Sequence, residues 1–387
     1  MLVCEKNKCV GCGACLYVCG KDAIKIMDSM EAFNAVVDTD KCIECGRCKK
    51  VCQVQNTIEL TPVSIWKQGW AREKCIRENS ASGGVASAII AAFISGGGKV
   101  FACQYSNIEH LFIIDDVSRS NLEYKVPGSK YVKSIAYKAY TKVKEALLNN
   151  DRVLFIGLPC QVYALKQVIP SKYHENLFTI DLICHGTPSQ LLLKKYCEEY
   201  NLKEVNDLKF RAKKKSKVND IYRPITPFGV ADSFLISFVK SINYYECCYE
   251  CKFAGIRRCS DLTLGDSWGS ELSNEEIEKG ISLLLVQSQK GEELIEAADL
   301  YLEDVNIEKA IKYNAQLRAP EEMPVVRDIF FENISAGRKY DWAVFKCYPL
   351  LMIKQSIKKC LLRMKLYHFN GDAKYKILIN RKDQMSD

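Results

Sequence analysis

The chain has 387 residues, 48% of them hydrophobic and 26% charged, which at about 100–200 residues per domain points to two or three domains. This composition excludes a disordered polymer, and 15 Phe, 20 Tyr and 4 Trp supply bulky core material. The net charge of +8 belongs to one end: residues 338–387 hold 12 Lys or Arg against 4 Asp or Glu, so the first 337 are formally neutral. Twenty cysteines against four histidines make any metal chemistry thiolate chemistry first.

Ten disulfides would suit a small secreted domain that cannot build a core, which this chain is not. The start, MLVCEKNKCV, shows no apolar leader. The longest apolar stretch, residues 85–94, falls short of the ~18 residues of a membrane span. A reducing, cytoplasmic setting is therefore expected.

The first element in chain order is a repeat. Cys9, Cys12, Cys15 and Cys19 recur as Cys42, Cys45, Cys48 and Cys52, 33 residues on. Both runs are C-x2-C-x2-C-x3-C, the bacterial two-cluster ferredoxin pattern, in which the fourth cysteine of each run ligates the other cluster. One 4Fe-4S cluster is therefore assigned to Cys9, Cys12, Cys15 and Cys52, and the other to Cys42, Cys45, Cys48 and Cys19. Three thiolates within seven residues need a tight turn, which Gly11, Gly13 and Gly46 permit. A pair of zinc sites is the alternative, but zinc leaves the third cysteine and the x3 step without a purpose. The proline usual after the last cysteine is replaced by Gly20 in the first run and Gln53 in the second. Cys4 lies outside the pattern and is read as a spare.

Beyond residue 61 the pattern becomes mixed α/β. Helices are expected at 85–95, 137–149, 160–168 and 189–200, and strands at 99–105, 111–115, 152–157 and 177–183. Their alternation argues for a largely buried sheet with helices on it.

Four motifs stand out in this body. Ser80-Ala81-Ser82-Gly83-Gly84 opens the helix at 85 and resembles an anion-binding helix start, though ordinary capping is the plainer reading. Gly128-Ser129-Lys130-Tyr131-Val132 puts a cation beside an aromatic ring. Cys160, in GLPCQ, and Cys184, in DLICHG, each follow a strand, and strand carboxyl ends are where open α/β sheets bind ligands. Downstream, Cys248 and Cys251 form a C-x2-C pair, followed by TLGDSWG at 263–269. No GxGxxG follows a strand, so a dinucleotide-binding Rossmann domain is not expected.

Residues 271–308 read as helical, acidic, solvated stretches, and KKKSK at 213–217 as a surface loop able to attract an acidic partner. Leu350, Ile353, Ile357, Leu361 and Met364 make an apolar stripe among lysines. It is read as a helix packing on the body or on a partner, a membrane-surface helix being the second reading. Nucleic acid is not expected.

The order SxSGG, GSKYV, GLPCQ, DLICHG, CYxC and TLGDxWG resembles the beta-subunit family of the coenzyme F-420 (deazaflavin) hydrogenases and dehydrogenases, in the form that carries an N-terminal two-cluster ferredoxin. The resemblance implies FAD near Ser80, Ser82, Gly83, Gly84, Lys130 and Tyr131, with Lys130 stabilising a reduced flavin. It also implies a third 4Fe-4S cluster on Cys160, Cys184, Cys248 and Cys251, with structural zinc as the alternative and Cys247 or Cys259 as substitute ligands.

The expected fold is thus α+β and α/β: a ferredoxin-like two-cluster module at 1–60, a flavin-binding part at 61–150, a part bearing the third cluster at 151–337, and a helical basic tail at 338–387. The expected function is an iron–sulfur flavoprotein oxidoreductase passing electrons between clusters and a small-molecule or coenzyme acceptor through FAD. Its donor would be ferredoxin or a partner subunit. The alternative is a non-catalytic electron-transfer subunit of a larger complex. The eight unassigned cysteines suit an oxygen-poor host.

Overall fold

The computed structural model describes residues 1–118, 128–201, 210 and 231–364. The basic run at 213–217 and the tail beyond residue 364 lie outside them. The chain divides into two compact units, Met1–Lys194 with Tyr244–Glu322, and Lys195–Asn243 with Met323–Asp387.

In the first unit each cysteine run passes a left-handed glycine, Gly13 or Gly46, into a short helix, α1 (Ala14–Val18) or α2 (Arg47–Lys50). Between them β1 (Ile24–Asp28) and β2 (Phe33–Val37) pair as an antiparallel hairpin. Eight further strands form one sheet: β3 (Ile65–Ala71), β4 (Lys99–Ser106), β5 (Leu111–Asp116), β6 (Val153–Gly157), β7 (Leu177–Leu182), β8 (Leu262–Asp266), β9 (Ser282–Val286) and β10 (Leu300–Asp304). Their order is β10-β3-β9-β8-β7-β6-β4-β5. Strands β4, β6, β7 and β8 run parallel, and the remaining neighbours antiparallel. The longer helices, in chain order, are α3 (Lys74–Asn79), α4 (Val85–Ser95), α5 (Ala139–Leu148), α6 (Pro159–Val168), α7 (Gln190–Glu199), α8 (Ser233–Val239), α9 (Asn274–Lys279), α10 (Gln289–Glu296), α11 (Ile307–Tyr313), α12 (Arg327–Ser335), α13 (Tyr340–Cys347) and α14 (Pro349–Arg363). Among the described residues no helix is long and apolar enough to cross a membrane.

The sheet is buried on both faces, and β6 shows why its sequence is apolar throughout. Val153 and Phe155 join one core with α5 and α6, while Leu154 and Ile156 join the other with α4, as the two-residue strand period requires. Cys12 and Ala14 enter the same core as α5, so the cysteine-rich module expected at 1–60 is packed into the first unit. The expected helices and strands between 85 and 200 recur with ends shifted by one or two residues. Residues 271–308 differ: α9, α10 and the start of α11 are there, but so are β9 and β10. All five residues of β9 are buried; its SLLLV run is the short apolar signature of a strand covered on both faces.

The second unit is built on aromatic rings. Tyr196, Phe210, Phe234, Phe330 and Tyr340 are each at most 1% exposed, and the Tyr196 hydroxyl donates to Asp232 Oδ2 at 2.7 Å. Asp232 also caps α8 by accepting from the Leu235 amide. The stripe expected on the C-terminal helix is present on α14, but it faces solvent: Leu350, Ile353, Ile357 and Met364 are 82%, 47%, 54% and 53% exposed. Among the described residues these four side chains are largely left uncovered. The double variant Ile353→Glu/Ile357→Glu is therefore expected to stay within about 0.5 kcal/mol of the parent in urea denaturation, whereas Phe330→Ala loses about 3–5 kcal/mol. A loss above about 2 kcal/mol for the glutamate pair would mean that the stripe is covered.

Candidate metal centre

The two N-terminal runs fold alike. The Gly11 amide donates to Cys9 Sγ and the Glu44 amide to Cys42 Sγ, both at 3.4 Å. Their glycines are not equivalent. A Cβ on Gly13, at φ 74°, would lie 2.3 Å from the Tyr137 side chain, whereas Gly46, at φ 70°, faces open space. Burial separates the runs in the same way. Cys9, Cys12 and Cys15 are buried, Cys42 and Cys48 half-buried, and Cys45 exposed.

The structure brings Cys52 across to the first run: the Cys15 thiol faces Cys12, Cys9 and Cys52, and burial together with these neighbours raises its pKa. Cys12 is pushed up to about 12, chiefly by burial. In the second run the Cys48 thiol faces Cys42 and Cys45, and Cys19 packs against an apolar core that holds cysteines of both runs. Cys4, read from sequence as a spare, lies against this group. The Cys52 and Cys9 sulfurs beside it raise its pKa, and Cys4 in turn lowers that of Cys52 against the opposing effect of burial.

The other thiols converge through sheet topology. Parallel pairing sets Gly157 of β6 opposite Asp181 of β7, so Cys160, at the second residue of α6, and Cys184, two residues past β7, leave the same sheet edge. Gly186, at φ 123°, leaves room for the Tyr244 ring, which a Cβ would approach to 2.3 Å. That packing, and the bond from the Tyr245 amide to Thr187 O, deliver Cys248 and Cys251. Arg258 holds the following loop by bonding Asp181 Oδ1 at 2.9 Å and the Phe253 and Leu182 carbonyls, both charges being almost wholly buried.

Burial raises the Cys184 pKa, and the sulfurs of Cys248, Cys160 and Cys251 raise it further. Cys251 is pushed up to about 11 by burial, then by Cys160 and Cys248. Cys247 lies beside the group and, through its hydrogen bond, brings Cys248 down to about 6. Cys259 is turned away, donating to Pro159 O at 3.3 Å.

A residue that sequence reasoning passed over sits inside this group. Lys133 is 5% exposed, with Nζ 2.8 Å from Cys160 Sγ. Burial works against its charge, but the Cys160, Cys248 and Cys247 sulfurs outweigh it and raise its pKa. A buried cation ringed by sulfur fits a site that carries net negative charge, as four thiolates around a cluster do. Among the described residues no three His, Cys, Asp or Glu converge as around a single metal ion, for which sulfur lies at about 2.3 Å from one centre.

The residues expected at FAD make protein contacts of their own in the structure. Ser80 Oγ donates to Ile76 O, Ser82 Oγ to Ile281 O, and the Gly83 amide to Ser282 Oγ. Gly84, in the left-handed region, packs on Arg77. Lys130 donates to Gly128 O and faces Cys103 of β4, with Tyr131 following it. The Ser–Gly segment lies against β9 and Lys130 against β4, four strands away, or about 19 Å at ~4.8 Å per strand.

This fold and these thiol groups define an iron–sulfur redox protein. Residues 8–56 match the family model of the 4Fe-4S dicluster domain, and residues 150–309 match that of the C terminus of the beta subunit of coenzyme F420 hydrogenase/dehydrogenase. Residues 150–309 are thus similar to that beta-subunit family, with the match to the dicluster domain ahead of them. Among solved structures it is similar to a chain of the F420-reducing NiFe hydrogenase complex from Methanosarcina barkeri, at 16% identity and a TM-score of 0.44, covering 72% of this chain and 97% of that one. No curated protein matches.

The unequal glycines give a direct check. Gly46→Ala bears only left-handed backbone strain, about 1–2 kcal/mol, while Gly13→Ala adds the Tyr137 overlap. Thermal denaturation is expected to show the larger drop for Gly13→Ala; equal drops would contradict the packing.

Proposed function

We propose that this chain is an iron–sulfur electron-transfer subunit of a larger redox assembly. Cys9, Cys12, Cys15 and Cys52 hold one four-iron cluster, Cys42, Cys45, Cys48 and Cys19 a second, and Cys160, Cys184, Cys248 and Cys251 a third. The observation that carries the reading is Lys133. An ammonium removed from water costs several kcal/mol unless negative charge compensates it, and the groups facing it are cysteine sulfurs. Clusters bound at these sites supply reversible one-electron chemistry.

The chain's own residues arrange access and shielding. Cys45 stands exposed beside Arg47, Lys49 and Lys50, which suits a partner subunit or an acidic donor such as ferredoxin. Tyr140 shields Cys12, its hydroxyl donating to Cys12 O at 2.8 Å. Lys133 keeps a positive charge at Cys160, and the Arg258–Asp181 pair fixes the loop that carries Cys251. A flavoprotein oxidoreductase with FAD, and with the deazaflavin coenzyme or another small acceptor as substrate, is the finer reading implied by family. It requires Ser80, Ser82 and Gly83 to exchange their present partners for the cofactor, and stoichiometric FAD in the purified protein distinguishes it.

The cluster assignment is tested by single substitutions in protein purified without oxygen. Cys184→Ser is expected to lower bound iron by about four atoms per chain, one cluster's worth, while Cys259→Ser keeps all of it. Equal retention by both variants would remove the third site.

A further inference from the structure

Helix α14 presents its apolar side to water. The opposite side holds it to the second unit: Gln355 Oε1 accepts from the Ala231 amide at 3.1 Å, and Leu351 and Met352 are half-buried. At about 100° per residue Gln355 lies nearly opposite both Ile353 and Ile357, so the bond that fixes the helix also fixes its apolar stripe outward. Leu350, Ile353 and Ile357 fall within an arc of about 60°, and each is exposed. Met364 continues the stripe one residue past the helix, its amide bonded to Cys160's distant namesake on α14, Cys360, through the carbonyl at 3.0 Å. Lys354, also exposed, borders the stripe, and Lys358 follows it one turn on. From Pro349 to Arg363 the helix carries three lysines and one arginine and neither Asp nor Glu.

A helix on a globular surface ordinarily turns its polar residues outward; an outward aliphatic stripe calls for a cover, and the residues around it select which. Two copies of this chain meeting stripe to stripe would bring Lys354 and Lys358 of both together, with no carboxylate on the helix to answer them. Protein interfaces favour aromatic and arginine anchors and avoid lysine, whereas this stripe is free of aromatic rings and bordered by lysine. An anionic lipid surface answers both features, with hydrocarbon beneath for the stripe and negative head groups at the level that ammonium groups on flexible stems reach. We propose that α14 lies on an anionic membrane surface, with Leu350, Ile353, Ile357 and Met364 entering the head-group boundary and Lys354 and Lys358 meeting lipid phosphates. The attachment is peripheral: the 15-residue helix lies in the plane of the surface over about 22 Å. Salt screens such an attraction, so binding weakens as ionic strength rises.

The proposal is independent of the cluster assignment. Full-length protein, purified without oxygen, is floated with vesicles of phosphatidylcholine alone and of phosphatidylcholine mixed equally with phosphatidylglycerol. The parent is expected to float with the anionic vesicles, to stay behind with the neutral ones, and to be released by high salt. Ile353→Glu/Ile357→Glu, expected above to keep its stability, loses at least about tenfold in vesicle affinity. Lys354→Gln/Lys358→Gln keeps the stripe and loses roughly tenfold, and thermal melts followed by circular dichroism identify which variants are folded. A parent that does not float with anionic vesicles overturns the proposal and leaves the stripe to a protein partner. Equal flotation with neutral vesicles overturns it as well, as does undiminished binding by either folded variant.

Discussion

The ammonium of Lys133, 2.8 Å from the Cys160 sulfur and shut away from water, demands negative charge around it, and much of the first unit is arranged to meet that demand. The lysine is held by its backbone, its amide donating to Pro188 O and its carbonyl accepting from Gln190 Nε2. Two residues on, Ile135 pairs with Ile113 of β5. Parallel pairing of β6 and β7 then brings two thiols to the same edge, and the 244–251 segment adds the rest. Four half-buried thiols facing one another would oppose one another's ionisation, as the raised Cys184 and Cys251 values show. Bound iron reverses that logic, because a coordinating thiol is deprotonated outright.

Cover falls along the N-terminal runs. Cys9, Cys12 and Cys15 are buried, Cys42 and Cys48 are partly covered, and Cys45 reaches solvent. Tyr140 joins the inner N-terminal thiols to the body by donating to Cys12 O, and Gln53, next to Cys52, by donating to Cys160 O. A carrier of single electrons needs both ends of such a gradient: a covered interior where charge is held, and one accessible edge where a partner reaches it. The two ferredoxin-like runs share a spacing, yet their environments differ because the first, through Cys12 and Ala14, enters the core of α5 and α6, while the second touches it through Val51.

How much of this was legible in the sequence follows from the range of each signal. The eight N-terminal cysteines and their crossed pairing could be proposed because spacing alone constrains a cluster turn, and Cys160 and Cys184 because each follows an apolar strand. Strand β9 was missed, since SLLLV inside an acidic, helix-rich stretch declares itself only once its neighbours β3 and β8 are known. Lys130 drew attention through a motif, but Lys133 is the lysine turned into the thiols, and three residues of loop register are set by Pro188 and Gln190 rather than by local sequence. The Ser–Gly segment at 80–84 read as a helix start with free amides or an ordinary cap, and only the tertiary structure shows Ser82 Oγ on Ile281 O and the Gly83 amide on Ser282 Oγ. Cys4 looked spare because its contact with Cys52 is tertiary. The stripe on α14 was legible as a pattern, while its exposure depends on what the second unit leaves uncovered.

The central claim is that three groups of four thiolates, the third built around a buried cation, hold iron–sulfur clusters. Quantifying iron, acid-labile sulfide and zinc in the full-length protein purified without oxygen tests it most directly. The account predicts about twelve iron and twelve sulfide per chain, the content of three four-iron clusters, with no zinc. About eight of each would deny the site around Lys133, and zinc without sulfide would contradict the account as a whole.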